Sequence, residues 1–146
     1  MNKVLKNCCL FIIFGVIYGL IETIWKGHLT HWSMFILAGI AGTLIGSINE
    51  YISWKMPFFL QCSIGMIIST ILEGLTGLIV NVWLNLHVWD YSNSFGRFFY
   101  NQCCLPFCAA WFILSGLCIL LDDYIRWKFF NEEEPHYNLL VWKKKK

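Results

Sequence analysis

Four long apolar stretches constrain the fold of this 146-residue chain more than any other feature. Each is long enough to cross the hydrocarbon core of a bilayer, which requires about 20 apolar residues in a helix. Backbone polar groups in lipid must be satisfied within the chain, so these stretches are predicted to be helical. Only 14% of the residues are charged, whereas soluble domains have about 25%. The predicted spans cover residues 5–25, 32–52, 57–84 and 98–121.

Short polar connections separate the apolar stretches, so consecutive helices are expected to be antiparallel neighbours. The chain is therefore predicted to be an all-α integral membrane protein whose residues 1–128 form a bundle of four transmembrane helices. Residues 129–146 are predicted to form a polar tail that ends in four lysines. The polar segment after Leu121 is expected to form a short interfacial helix followed by a flexible end.

The basic residues are divided unequally between the two predicted membrane sides. Cytoplasmic loops are enriched in lysine and arginine, so the richer side is predicted to be cytoplasmic and to hold both termini. That side carries nine basic residues and the other carries Lys26 and Arg97. The nine are Lys3, Lys6, Lys55, Arg126, Lys128 and the four lysines 143–146.

Small residues recur every four positions in the first two predicted helices. Gly15 and Gly19 lie in the first, and Ala38, Gly42 and Gly46 lie in the second. This spacing predicts that the two helix backbones pack closely. The alternative is that glycine is simply frequent in membrane helices.

Two carboxylates, Glu22 and Glu73, lie inside the apolar stretches. Counted at about 1.5 Å per residue, each lies about 25 Å along its span, in the outer half of the membrane. The polar loop before the fourth span, residues 88–97, lies on the same side, with Arg97 as the expected counter-charge. The candidate substrate- or ion-binding residues are Glu22, Glu73, Trp89, Asp90, Tyr91, Ser92 and Arg97.

The buried carboxylates have three interpretations. Ionisable groups inside a membrane are costly and are functional candidates by default. Glu22 and Glu73 can handle protons or cations, or they can recognise a cationic substrate. The structural alternative is that they fasten helices through hydrogen bonds to Arg97, Tyr18, Asn81 or the backbone.

Other functional classes receive little support. The four histidines form no metal-ligand spacing, and Cys103, Cys104 and Cys108 match no familiar zinc pattern. We therefore expect no metal and no cofactor. The basic residues form no stripe interleaved with aromatic residues, which argues against nucleic-acid binding. No nucleophile–base arrangement stands out, although a lipid-headgroup enzyme using Glu73 and Asp90 remains an alternative.

Four short motifs carry a family resemblance: residues 19–25 (GLIETIW), 32–35 (WSMF), 73–77 (EGLTG) and 88–92 (VWDYS). They are followed in order by Gly96, Pro106, Trp111, Gly116 and Asp122–Asp123. The chain thereby resembles the ABC-transporter type IV family of small bacterial membrane proteins, also called CmpB-like ABC transporter permeases. The resemblance covers most of the chain except the lysine tail. Residues 36–39 read ILAG where the relatives tend to have a tyrosine, so the role of that tyrosine is not carried over.

The resemblance implies a four-helix, permease-like protein of a bacterial plasma membrane and carries over no catalytic residue. The chain lacks the Glu-Ala-Ala loop by which importer permeases commonly engage their ATPase. Two short hairpins cannot easily enclose a pathway on their own. Within the lipid bilayer, transport would therefore require a homo-oligomer or a partner membrane or ATPase subunit.

Overall fold

A computed structural model describes residues 2–139. Within this range the fold is helical and has five α-helices, with one π-helical segment (Leu78–Trp83) that continues α4. Two-residue strands β1 (Arg97–Phe98) and β2 (Cys103–Cys104) pair antiparallel. The helices are α1 (Lys3–Lys26), α2 (Trp32–Gly46), α3 (Ile48–Tyr51), α4 (Phe58–Gly77) and α5 (Leu105–Phe130).

Three helices are long and apolar enough to cross a membrane, which is consistent with a multi-pass membrane protein. They are α1, with 24 residues, α4 with its π-helical continuation, with 26, and α5, with 26. Helix α2 is also apolar but has only 15 residues. The predicted second span, residues 32–52, is interrupted because α2 ends at Gly46 and the single turn α3 follows.

The last helix begins later and ends later than the predicted span 98–121. Residues 99–101 have φ between 52° and 60°, a left-handed conformation that forms a tight turn rather than a helix. They join β1 to β2, and α5 begins only after Cys104, with Pro106 in its first turn. Proline is well tolerated there because its missing N–H has no helical partner anyway. The polar residues after Leu121 continue α5 instead of forming a separate interfacial helix.

Helices α1 and α2 form the first hairpin and pack closely through glycine. A Cβ atom at Gly42 would lie 2.5 Å from the Phe14 side chain, and one at Gly15 would lie 2.8 Å from the Phe35 ring. The close approach of α1 and α2 is therefore confirmed at Gly15 and Gly42, whereas a Cβ at Gly46 would meet Asp122 of α5 at 2.6 Å. At Gly19 the contact is ordinary, with 3.7 Å to the Thr30 methyl group.

Helices α4 and α5 form the second hairpin, and α2 packs against both of them. Helix α1 packs mainly on α2 and approaches α5 only locally, so a groove separates α1 from α5. This groove positions the site described below.

The described part of the predicted flexible tail folds back onto the bundle. The Phe58 N–H donates a 2.6 Å hydrogen bond to the Asn138 carbonyl. The Tyr137 hydroxyl donates to Asp123 at 2.8 Å, and the His136 ring stacks on Trp54 with centroids 4.8 Å apart. Residues 131–139 therefore close the end of the bundle opposite the Lys26 end. The predicted four-lysine end lies outside the described residues.

Candidate functional site

Glu73 joins three parts of the fold at the end of the bundle where α1 and α4 both terminate. Its side chain is only 2% exposed. One carboxylate oxygen accepts a 2.9 Å hydrogen bond from the Tyr91 hydroxyl, and the other accepts a 2.9 Å bond from the Trp111 indole N–H. Both oxygens have partners, so Glu73 connects α4 to the polar loop and to α5.

Glu22 is also buried, at 8% exposure, but its partners are local to the first hairpin. Lys26 lies one helical turn further along α1, with its Nζ 2.5 Å from Oε1. The Thr30 hydroxyl donates to Oε2 at 2.7 Å. Helical residues four apart face each other, which explains why Lys26 is the counter-charge.

The expectation that Arg97 pairs with the carboxylates is wrong for the structure. Arg97 is exposed in β1, and none of the ion pairs found within residues 2–139 includes it. The hairpin that delays the start of α5 keeps this residue outside the helix bundle.

The polar loop divides into an inward part and an outward part. Asp90 is exposed and accepts hydrogen bonds from the Ser92 N–H at 2.9 Å and the Ser92 hydroxyl at 2.7 Å. These bonds from Ser92 hold the pKa of Asp90 below its usual value. Asp90 and Ser92 therefore stabilise a surface turn. Trp89 and Tyr91 point inward: Trp89 donates to the Gln102 carbonyl at 3.2 Å, and Tyr91 stacks on Phe107 at 4.8 Å.

Asn81, in the π-helical segment, holds the loop in place. Its amide donates to the Gln102 side chain at 2.8 Å, and its carbonyl oxygen accepts from the Val88 N–H at 2.7 Å. A Cβ at Gly77 would collide with Gln102 at 2.5 Å, so glycine is required for this close approach. The loop is thereby fixed by buried polar contacts on both sides.

A cleft of about 500 Å³ opens between α1 and α5 at this end of the bundle. Three predicted site residues, Glu22, Trp89 and Tyr91, line it, and Glu73 is hydrogen-bonded to two of its wall residues. Asp90, Ser92 and Arg97 are not among its lining residues. Six of its lining residues are aromatic: Tyr18, Trp25, Trp89, Tyr91, Phe107 and Trp111.

The cleft also contains residues that were absent from the predicted site. Lys26 is the most important, and its position four residues after Glu22 was the available signal. Trp111 was part of the family motif, but nothing in its surroundings marked it as a partner of Glu73. The Trp111 ring stacks on Tyr18 with centroids 5.7 Å apart, so these two rings bridge α1 and α5.

A second polar cluster, which was not predicted, lies at the opposite end of the bundle. Asp122 is fully buried and pairs with Arg126 at 2.5 Å. Asp123 accepts from the Asn49 amide at 2.7 Å and from Tyr137. Asp122, Asp123 and Arg126 were expected in a short interfacial helix after the fourth span, although the spacing of Asp122 and Arg126 is typical of an ion pair on a helix.

In the described part of the chain, no group of three or more His, Cys, Asp or Glu side chains is arranged to hold a metal ion. The candidate site consists of the cleft with its aromatic side chains, the Glu22–Lys26 ion pair and the buried Glu73. Comparison of the chain with protein-family models, with curated proteins and with solved structures gives no match.

Proposed function

We propose that this protein is a permease-like membrane subunit that binds a positively charged substrate group in the cleft between α1 and α5. The single observation that carries the proposal is a cleft of about 500 Å³ in which Glu22 lies among aromatic side chains. A volume of this size is within the range of small-molecule sites in proteins, about 300–1,000 Å³.

The charge distribution of the cleft favours a cation over an anion. The faces of tryptophan and tyrosine rings attract cations, most strongly where water is excluded. Glu22 adds a negative charge to the wall, and Glu73 lies directly behind Tyr91 and Trp111. The one cationic lining residue, Lys26, already interacts with Glu22.

The proposal includes four membrane crossings with both termini in the cytoplasm. Glu22 near the end of α1 and the partners of Glu73 near the end of α4 reach the same cleft, so the two helices run in the same direction. The chain between them must therefore return across the bilayer, and α2 with α3 is the connection available. The division of basic residues, nine against two, supports a cytoplasmic position for the termini.

The family resemblance agrees with this proposal, and with a bacterial plasma membrane as its location. A bundle of two hairpins encloses only a lateral cleft, so the proposal includes a second copy of the chain that completes the pathway. Fusing a cytoplasmic or a periplasmic reporter to the C-terminus tests the proposed orientation. Activity of the periplasmic reporter alone would contradict it.

The second candidate function is structural fastening, and a specific observation favours it for Glu73. Both of its oxygens are occupied by protein donors, and its side chain is nearly inaccessible. Glu73 therefore positions two cleft walls, whereas Glu22 faces the cleft itself. The two carboxylates have different roles under this proposal.

The test is uptake into proteoliposomes that contain the full chain. The substrates are radiolabelled ethanolamine and choline, together with short-chain fluorescent phospholipids that carry an amine headgroup. We expect uptake of at least one of them by the wild type and its loss in Glu22→Gln, with the thermal unfolding temperature retained. Glu134→Gln changes an exposed carboxylate and serves as the matched control. No uptake by the wild type, or equal uptake by Glu22→Gln, would overturn the proposal.

A further inference from the structure

A second cavity extends the cleft into the middle of the bundle. It has a volume of about 200 Å³ and lies between α1, α2 and α5. Tyr18, Ile21, Trp111 and Leu114 line both spaces, so the two are adjacent parts of one groove. Its other walls are almost entirely apolar. An apolar cavity of about 150 Å³ stays dry and accepts apolar ligands, so this part of the groove suits a hydrocarbon.

The groove follows one face of each flanking helix. The α1 residues that line it recur at intervals of three and four from Phe14 to Lys26, as expected for a single helical face. At about 1.5 Å per residue, this face is about 18 Å long, and the corresponding α5 face from Phe107 to Leu121 is about 21 Å long. Half of a bilayer hydrocarbon core is about 15 Å thick. The groove therefore matches the depth of one membrane leaflet.

The two ends of the groove differ in polarity. The end between α1 and the polar loop carries Glu22 and Lys26, with Trp25 and Trp89 beside them. The other end is formed by aliphatic and small residues such as Ile45 and Leu121. An occupant must therefore have a polar head and an alkyl chain, arranged in the direction that a membrane lipid has.

We propose that the groove binds a zwitterionic phospholipid with an ammonium headgroup, taken from the leaflet at the Lys26 end. One acyl chain lies between α1 and α5, the ammonium group contacts Glu22 and the aromatic rings, and the phosphate contacts Lys26. This inference rests on the proposed function and names the substrate class of the same cleft.

The headgroup assignment follows from the ion pair at the mouth. A zwitterionic head supplies one charge for each member of the Glu22–Lys26 pair. An anionic lipid would bring its phosphate to Lys26 but leave Glu22 without its partner, and an uncompensated charge in a low-dielectric site is costly. A simple organic cation would contact Glu22 and the aromatic rings but make no contact with Lys26 through a phosphate, so a zwitterionic head makes one charged contact more.

Native mass spectrometry of the purified full chain in a non-ionic detergent tests the inference. The probes are lysophosphatidylethanolamine, lysophosphatidylglycerol of the same chain length, and glycerophosphoethanolamine, which has the head but no chain. We expect one bound lysophosphatidylethanolamine per chain, with an affinity about tenfold higher than that of the anionic lipid. Glycerophosphoethanolamine is expected not to bind. Equal affinity for the two lysolipids would overturn the headgroup assignment.

Two variants locate the binding site. Glu22→Gln is expected to abolish most of the headgroup preference. Ala41→Leu fills part of the apolar cavity and is expected to weaken binding of both lysolipids about tenfold. Ala109→Leu introduces the same side chain on the exposed face of α5 and is the matched control. Unchanged lipid binding by Ala41→Leu would place the lipid outside the groove and overturn the inference.

A chain-length series on the wild-type protein needs no variant and therefore does not depend on folding of a mutant. Affinity for lysophosphatidylethanolamine is expected to rise with chain length and then level off when the groove is full. An affinity independent of chain length would overturn the inference. If proteoliposomes take up ethanolamine but the lysolipid does not bind, the inference fails and the proposed function stands. If the lysolipid binds but nothing is transported, the proposed function fails and the site remains.

Discussion

Replacement of Glu73 provides the sharpest test of how this end of the bundle is held together. Glu73→Ala removes the acceptor of two hydrogen bonds and leaves the Tyr91 hydroxyl and the Trp111 N–H inside the protein without their partner. Leaving one buried donor unsatisfied costs about 1–3 kcal/mol. The free energy of unfolding is therefore expected to fall by about 2–6 kcal/mol.

Glu73→Gln separates the hydrogen bonds from the loss of volume. The amide has nearly the same shape: its oxygen can accept from the Trp111 N–H, and its NH₂ group can donate to the Tyr91 hydroxyl, which accepts as well as donates. Replacement of the charged acceptor by this neutral arrangement is expected to cost at most about 1–3 kcal/mol. Hydrogen bonds between membrane helices average only about 0.6 kcal/mol, because the unfolded chain in the membrane also finds partners. Glu73→Gln should therefore lie near the lower end of that range and clearly below Glu73→Ala.

The assay is reversible unfolding of the purified protein in mixed micelles with increasing SDS, followed by tryptophan fluorescence. A double-mutant cycle of Glu73→Ala with Trp111→Phe isolates the indole bond, because each single change removes it and residues in contact give non-additive free energies. Glu134→Gln, at an exposed position, should have no measurable effect. The reasoning would be refuted if Glu73→Ala were as stable as the wild type. It would also be refuted if the two changes in the cycle were strictly additive.

Two further predictions concern packing and pH. Gly42→Ala should destabilise the first hairpin by about 1–3 kcal/mol through overpacking. Gly19→Ala should be nearly neutral, because the added methyl group meets only an ordinary contact. Unfolding in SDS compares the two variants, and equal effects would contradict the packing described for Gly42. Burial by itself would raise the pKa of Glu132. The charges and hydrogen bonds of Lys6 and Arg126 outweigh this effect and lower the pKa. Because the pKa is lowered in the folded protein, ionised Glu132 stabilises the fold at pH values above its ordinary pKa of about 4.3. This stability is lost as the pH falls through the folded-state pKa. Proteolysis of the tail should therefore accelerate below that pH in the wild type and not in Glu132→Gln; identical pH profiles would contradict this.

The positions of the charged residues show how far sequence reasoning reaches in this protein. Lys26 could have been identified as the partner of Glu22, because helical residues four apart must face each other. The sequence predicts Arg97 as the counter-charge instead, because it indicates only that Arg97 lies on the same side of the membrane as the carboxylates. Its exclusion depends on the turn at residues 99–101, where three consecutive residues other than glycine adopt positive φ. Such a conformation has no reliable sequence signal.

The cluster around Asp122 shows the same limit at the other end of the bundle. A run of charged residues after an apolar stretch is usually solvated, so this run was predicted to form an interfacial helix at the membrane surface. Burial of Asp122 and Arg126 is possible because each charge neutralises the other, while residues 131–139 cover this end. The partners come from distant parts of the chain, including Asn49 and Tyr137. No local sequence pattern predicts contacts between residues so far apart in the chain.

The sequence alone determined that long apolar helices dominate the chain. A helix that crosses a bilayer core requires a run of about 20 apolar residues, and such runs are visible in the sequence itself. It also predicted that α1 and α2 pack closely, and the contacts at Gly15 and Gly42 confirm this, although Gly46 packs against α5. The tertiary structure decided which side chains meet. The packing of α2 against α1 on one side and against α4 and α5 on the other keeps α1 apart from α5. This separation creates the groove with Glu22 and Lys26 at its polar end. Such a space is a property of helix arrangement, and helix arrangement depends on contacts between residues far apart in the chain.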